Sequence, residues 1–416
     1  MSADEELGLV YLPVESATGD RYGGDRPGNN LYSSSTVALD YKTGEVRWHF
    51  QSTHHDIWDW DTPSAPILAD LPDGRKTLIQ TLKQSHLFTF DRATGTPLFP
   101  IEERPVPQTD VPGEWTALTQ PFPSLPLPYD RQGFQEDDLV DFTPEILAKA
   151  REAAQPFRFS TSVFTPPSLF KDPKDGSHGT LHLPSSTGGS NWEGAAYDPE
   201  TGLLYVPSRT ATSVLSLVNE PDVSSAAYIA GGSRTPSVDG IPLVKPPYGR
   251  ITAIDMSSGE HVWQVVNGDT PEDIRHHPLL QGVDIGRTGK PARSGLVLTK
   301  TLLFAGFVRC AASGSASVTV SAVLRRADSS GLRECGAAAA HSATSSERAC
   351  PRLWHTSEGL APGSGYADRW PPGRRPPSLQ GWIHGVSADP LPGTRPGIRS
   401  TIRRQARSPT PNEDAP

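Results

Sequence analysis

Val37-Ala-Leu-Asp40-Tyr-Lys-Thr-Gly44-Glu-Val-Arg-Trp48 is a hairpin written out in full. An apolar strand runs into Asp40, whose carboxylate can accept from the turn backbone. Gly44 supplies a positive φ, and a second strand ends in an aromatic. The arrangement recurs at Phe88-Thr-Phe-Asp91-Arg-Ala-Thr-Gly95 and at Ala195-Ala-Tyr-Asp198-Pro-Glu-Thr-Gly202-Leu-Leu-Tyr205. It returns at Thr252-Ala-Ile-Asp255-Met-Ser-Ser-Gly259-Glu-His-Val-Trp263. A fifth copy, Asp4-Glu-Glu-Leu-Gly8-Leu-Val-Tyr11-Leu-Pro13, opens the chain and matches Asp198, Gly202, Tyr205 and Pro207 at one offset.

Successive Asp positions lie 36, 51, 107 and 57 residues apart. These intervals predict one turn per unit of about four strands, an all-β chain and a β-propeller. A β-sandwich with ordinary hairpins accounts for one such turn but not for five. The longest interval holds an insertion over about 102–190. Its stretch Glu102 to Pro128 is Pro-rich and reads as an ordered extended loop. A short helix over 144–155 follows, with Thr143 as N-cap, Pro144 at the first helical position and Pro156 as the stop.

The repeats end at Gly306. The chain has 416 residues and a net charge of −9, which speaks against a nucleic-acid partner. From Arg309 to Pro416, fourteen Arg, no Lys and eight acids give a net +6, against −15 before it. All thirteen Phe lie at or before Phe307, and Cys310, Cys335 and Cys350 all follow it. The expectation is a propeller portion over 1–306 and a low-complexity tail over 307–416, disordered or translated out of frame. No apolar run reaches the roughly 18 residues of a membrane span, and the acidic start does not read as a signal peptide.

One segment carries chemistry. His54-His55-Asp56-Ile57-Trp58-Asp59-Trp60-Asp61 packs two His, three Asp and two Trp into eight residues. The mixture suits a loop entering a polar, aromatic-lined cavity, where a carboxylate takes a proton or binds a metal. It equally describes a Trp-anchored loop with solvated acids. Lys83 stands among strand residues where a solvated lysine is unexpected. It can pair with an anionic ligand or snorkel to the rim. Asn191 and Trp192 couple an amide to a planar ring, as a flat ligand or a core requires.

The segments LGLVYLP, HHDIWDWDTPSAP, NWEGAAYDPETGLLYVP and SGLVLTKTLLFAG resemble the pyrroloquinoline quinone (PQQ)-dependent dehydrogenases, nearest the membrane-type quinoprotein glucose dehydrogenases, over residues 2–306. The resemblance implies part of an eight-bladed propeller that binds PQQ and a divalent cation, Ca2+ or Mg2+. It implies Asp59 as catalytic base and metal-site residue, and Lys83 as the lysine on the quinone carbonyls. Asn191 and Trp192 match the cofactor pocket. Thr18 falls near a metal and cofactor position, and His55 is a further pocket residue.

The implied reaction oxidises a glucose-like aldose or an alcohol, with hydride passing to the quinone and electrons to a respiratory quinone or cytochrome. The implied location is the periplasmic side of the inner membrane. Against this resemblance the chain begins inside a blade and loses the pattern after Gly306, so the polypeptide alone is expected to lack turnover. The competing function is a non-catalytic propeller scaffold or binding protein, which has no need of the HHDIWDWD loop together with Lys83.

Overall fold

The computed structural model describes residues 1–310 and the strands 316–325 and 343–344. Four antiparallel sheets follow one another along it. The first joins β1 (Ser2–Asp4), β2 (Leu9–Val14), β3 (Ser35–Asp40) and β4 (Val46–Gln51) in chain order. The second joins β5 (Ile67–Asp70), β6 (Lys76–Thr81) and β7 (Leu87–Asp91). The third joins Ala196–Asp198, Leu203–Arg209, Gly249–Asp255 and Glu260–Val266. The fourth begins with Ser294–Leu298 and Leu302–Cys310.

The hairpin chemistry is as the sequence predicts. Asp40 Oδ1 accepts from the N–H groups of Lys42 and Thr43 at 2.9 and 3.0 Å, while Gly44 sits at φ 75°. Asp91 Oδ1 accepts from Ala93 and Thr94, and Asp255 Oδ1 from Ser257. Gly95, Gly202 and Gly259 all take positive φ. The count per sheet differs from the expectation. Asp4 and Asp40 belong to one sheet, as do Asp198 and Asp255. The turn marks a tight hairpin, and it closes two of the three connections in both the first and the third sheet. Its carboxylate and glycine serve the local bend and do not count blades.

Consecutive sheets pack face to face, the propeller arrangement. Leu9, Tyr11 and Ala38 of the first meet Leu78, Phe88 and Phe90 of the second. Ala69, Ile79 and Leu87 of the second meet Leu204, Val206 and Ile254 of the third. Tyr205, Ile251 and Ala253 of the third meet Leu303 and Ala305 of the fourth. Each Leu, Ile, Val or Phe so buried contributes about 1.5–3 kcal/mol relative to exposure. Specific contacts key the faces together. Trp48 Nε1 and Tyr11 Oη both donate to the Arg92 carbonyl in the second sheet's turn, at 3.2 and 2.7 Å. A Cβ on Gly95 would lie 2.6 Å from the Trp48 ring, so the aromatic ending the first sheet rests on bare backbone of the next.

The insertion forms its own layer. The helix Pro144–Ala154 is capped by Thr143, whose hydroxyl accepts from Ile146 N–H at 3.2 Å. Ile146, Ala150 and Ala154 face a core with Phe134, Leu181, Leu183 and Tyr248. The Pro-rich stretch is not merely a loop. Ile101–Pro105 pairs antiparallel with Thr119–Pro123, because the alternating register places the prolines where the ladder needs no donor. Ser213–Val218, an excursion from the third sheet, pairs with Thr180–His182 and with Ser168–Leu169.

The boundary expected at residue 306 falls within a strand. Leu302–Cys310 pairs with Ala316–Arg325, which pairs with Ala343–Thr344. The Ser-Val-Thr-Val-Ser-Ala-Val run over 317–323 has the β-branched alternation of a strand without an Asp-Gly turn to announce it. The rest of 307–416, on which the disordered or out-of-frame tail was expected, lies outside the described residues.

Candidate active site

The connection from β4 to β5 carries the His54–Asp61 segment, held from within and from without. Asp56, fully buried, accepts from the Ser34 hydroxyl at 2.7 Å and from Trp58 N–H at 2.9 Å. Burial raises its carboxyl above the ordinary range. Both tryptophans are buried and anchor the loop to the insertion: Trp58 Nε1 donates to the Thr165 carbonyl and Trp60 Nε1 to the Val163 carbonyl, at 2.7 and 3.0 Å. They pack with Ile57, Val163, Phe164 and Leu215. The indoles therefore fasten the loop. They do not form the aromatic walls of a cavity.

The acids are paired. Lys83, in the β6–β7 hairpin and 4% exposed at its side chain, lies 2.9 Å from Asp59 Oδ2 and 2.7 Å from Asp61 Oδ2. Its ammonium also donates to the Asp59 carbonyl at 3.0 Å. These three acceptors match the three protons of an ammonium. Arg21, from the β2–β3 loop, places Nη2 3.4 Å from Asp59 Oδ2 and donates through Nη1 to the Trp58 carbonyl. Ser16 N–H donates to Asp61 Oδ1 at 2.8 Å, and the Ser16 hydroxyl makes a long 3.5 Å bond to Asp59 Oδ1. Asp59 itself sits at φ 64°, a left-handed conformation costing a non-glycine residue about 1–3 kcal/mol unless its surroundings enforce it.

One lysine between two buried carboxylates separates their acidities. Burial, reinforced by Asp61, pushes Asp59 up to about 8 in spite of Lys83 and Arg21. Burial also works against ionisation of Asp61, but Lys83 outweighs it and holds that carboxyl below its ordinary value. For Lys83, burial disfavours the charge and the two carboxylates more than restore it. The cluster thus holds a basic carboxylate beside a permanent cation, with 15% of the Asp59 side chain still open.

The model of the PQQ glucose/ethanol/alcohol dehydrogenase β-propeller domain matches residues 1–311. The chain belongs to this family of quinoprotein oxidoreductases. It is 34% identical over 302 residues to the glycerol dehydrogenase large subunit of Gluconobacter oxydans, covering 64% of this chain and 39% of that protein. It is 31% identical over 327 residues to quinate/shikimate dehydrogenase (quinone) of Acinetobacter baylyi, covering 72% and 39%. Quinoprotein glucose dehydrogenase of Escherichia coli is 30% identical over 321 residues, covering 71% and 39%. The chain therefore spans about two fifths of the length of these relatives.

The quinoprotein site residues expected from sequence divide into four groups. Asp59 and Lys83 meet directly. Asn191 and Trp192 ride a loop seated on the same hairpin: Gly189 N–H donates to the Lys83 carbonyl at 2.8 Å, and Ser190 shares a hydrogen bond with Tyr129, which itself donates to the Leu82 carbonyl. The Asn191 amide is spent within its own loop, on the Thr187 carbonyl and Trp192 N–H. Trp192 is 49% exposed, a free indole face and no core residue. Thr18 is exposed in the loop between Ser16 and Arg21. His55 is separate in role. It is buried, its Nδ1 meets the Gly28 carbonyl at 2.9 Å, and its ring stacks on Trp115 at 3.7 Å.

Sequence reasoning missed Arg21 and Asp61 as site residues. Asp61 stands two positions from Asp59, and a shared lysine could have been suspected. Arg21 carries no local signal.

Arg21 suits an anionic quinone, since its guanidinium has N–H groups beyond the two spent on Trp58 and Asp59, while the three Lys83 protons are already taken. A divalent cation finds hard oxygen donors in Asp59 and Asp61. Among the described residues, however, no three His, Cys, Asp or Glu side chains are grouped to hold a metal. No helix among them is long and apolar enough to cross a membrane.

Proposed function

We propose that this chain contributes the base side of a PQQ-dependent dehydrogenase acting on a hydroxyl of a polyol, sugar or alcohol. The observation that carries the reading is the Lys83 ammonium bonded to both Asp59 and Asp61 beneath a partly open Asp59 carboxylate. A scaffold has no use for two buried acids on one buried lysine, an arrangement that costs several kcal/mol in desolvation. Relatives named for glycerol, quinate/shikimate and glucose share a vicinal polyhydroxy pattern, so the aldose expectation widens to polyhydroxy substrates.

Bound PQQ would supply the two-electron acceptor. Arg21 would hold its oxygens, joined by Lys83 once it gives up one of its three present acceptors, with Trp192 offering a stacking face. A cation, Ca2+ or Mg2+, would draw on Asp59. The chain's own task is the proton. Asp59 Oδ2 carries both cations, while Oδ1 makes the long Ser16 bond, so Oδ1 is the oxygen assigned to accept the substrate hydroxyl proton. Such general-base assistance is worth about 10²–10⁴ in rate. Electron delivery to a respiratory quinone or cytochrome on the periplasmic side of the membrane completes the proposal.

The test is quinone titration of the purified chain with Ca2+ or Mg2+, followed by tryptophan quenching, and then dye reduction with glycerol, quinate and glucose. Quinone binding lost in Lys83→Ala supports the reading, and absence of saturable binding in the wild type rejects it. Dye reduction by the 416-residue polypeptide alone overturns the expectation that it lacks turnover.

A further inference from the structure

Two cations grip Asp59 in the same way. Lys83 bonds the carbonyl of Asp59 and the Oδ2 of its side chain. Arg21 bonds the carbonyl of the preceding Trp58 and that same Oδ2. The peptide groups on either side of a left-handed residue are thereby each tied to its carboxylate through a cation. Lys83 comes from the second sheet and Arg21 from the loop between the second and third strands of the first. The Arg21 side chain is 13% exposed, so it is fixed inside the protein and is not a mobile surface arginine.

We propose that Arg21 is a positioning residue for Asp59, one half of a two-cation clamp that holds the carboxylate by Oδ2 and turns Oδ1 toward the substrate. This rests on the reading of Asp59 as the base. The guanidinium suits the task because its fork spans two acceptors at a fixed angle, which an ammonium cannot do. With Lys83 alone, a swing of the carboxylate about its Cα–Cβ bond breaks one charge-assisted bond. With Arg21 present, rotation breaks two charge-assisted bonds.

The experiment compares wild type, Arg21→Met and Arg21→Lys in the full-length chain. Without quinone, amide hydrogen exchange is followed over the His54–Asp61 segment. Arg21→Met should exchange there about ten-fold faster while the β6–β7 strands are unchanged, with Arg21→Lys in between. Should the wild type turn over with quinone and substrate, against the expectation for this polypeptide alone, Arg21→Met should lose about 10²-fold in kcat at nearly constant KM, because a base displaced by an ångström loses that much. Partial recovery in Arg21→Lys supports the clamp. Unchanged exchange in Arg21→Met overturns it, as does an equal rise throughout the first sheet, which marks a general packing role. If the wild type shows no turnover, as expected of this polypeptide alone, the exchange measurement decides the clamp, and the reading of Asp59 as base is left to the quinone titration.

Discussion

The Lys83 ammonium binds Asp59 twice, at the carboxylate (2.9 Å) and at the residue's own carbonyl (3.0 Å), so one side chain fixes both the reactive group and the backbone that bears it. Lys83→Met is expected to leave Asp59 and Asp61 buried without compensation, at a cost of about 3–5 kcal/mol. Urea denaturation at neutral pH reads this. Raised carboxyl pKa values stabilise a fold below them and lose that benefit as pH climbs through them, so the variant should recover stability on mild acidification. A wild-type midpoint at neutral pH would reduce Lys83 to a rim residue.

Asp59→Asn keeps the shape and leaves Lys83 paired with Asp61. Quinone affinity and thermal stability should stay close to wild type, and any dye reduction that the wild type shows should fall by about 10²–10⁴. Near-normal turnover in this variant removes Asp59 from the proton-transfer step.

His86 and His182 are buried, and burial depresses each from 6.5 to about 3. Both are neutral in the fold and charge readily when it opens. Their contribution is therefore present above about pH 6.5 and is lost as pH falls toward 3, with a slope near 1.4 kcal/mol per pH unit for each group. Denaturation midpoints measured across that range should flatten in His182→Leu. An equally steep acid limb in the variant refutes the assignment.

Gly188 presses on the site. At φ 83° its missing Cβ would lie 2.4 Å from the Ser190 carbonyl oxygen and 2.8 Å from the Lys83 Cα. Gly188→Ala should cost about 1–3 kcal/mol and shift the fluorescence of Trp192, carried on the same loop. An unshifted spectrum together with full stability would mean that the loop yields at no cost.

The hairpins were legible because Asp40, Gly44 and their counterparts act within five residues of chain, and so was the Thr143 cap. Asp59 and Lys83 were legible as chemistry out of place, a carboxylate among indoles and an ammonium among strand residues. What stayed hidden is tertiary. The Asp–Gly turn says nothing of how many hairpins share a sheet. Arg21 meets Asp59 across 38 positions, and the two buried tryptophans serve an insertion whose docking no local pattern encodes. The strand at 316–325 lies past the change in composition and is marked in sequence only by its own alternation.

The two carboxylates belong to the crossing between the first and second sheets, and their neutralising ammonium arrives 24 residues after Asp59. A growing polypeptide thus exposes a pair of mutually repelling charges before the lysine they share exists. Closure of the β6–β7 hairpin is the moment at which the pair can leave water, so the reactive centre is finished by the same event that docks one sheet on its neighbour. Chains that fail to dock keep their acids hydrated and inert.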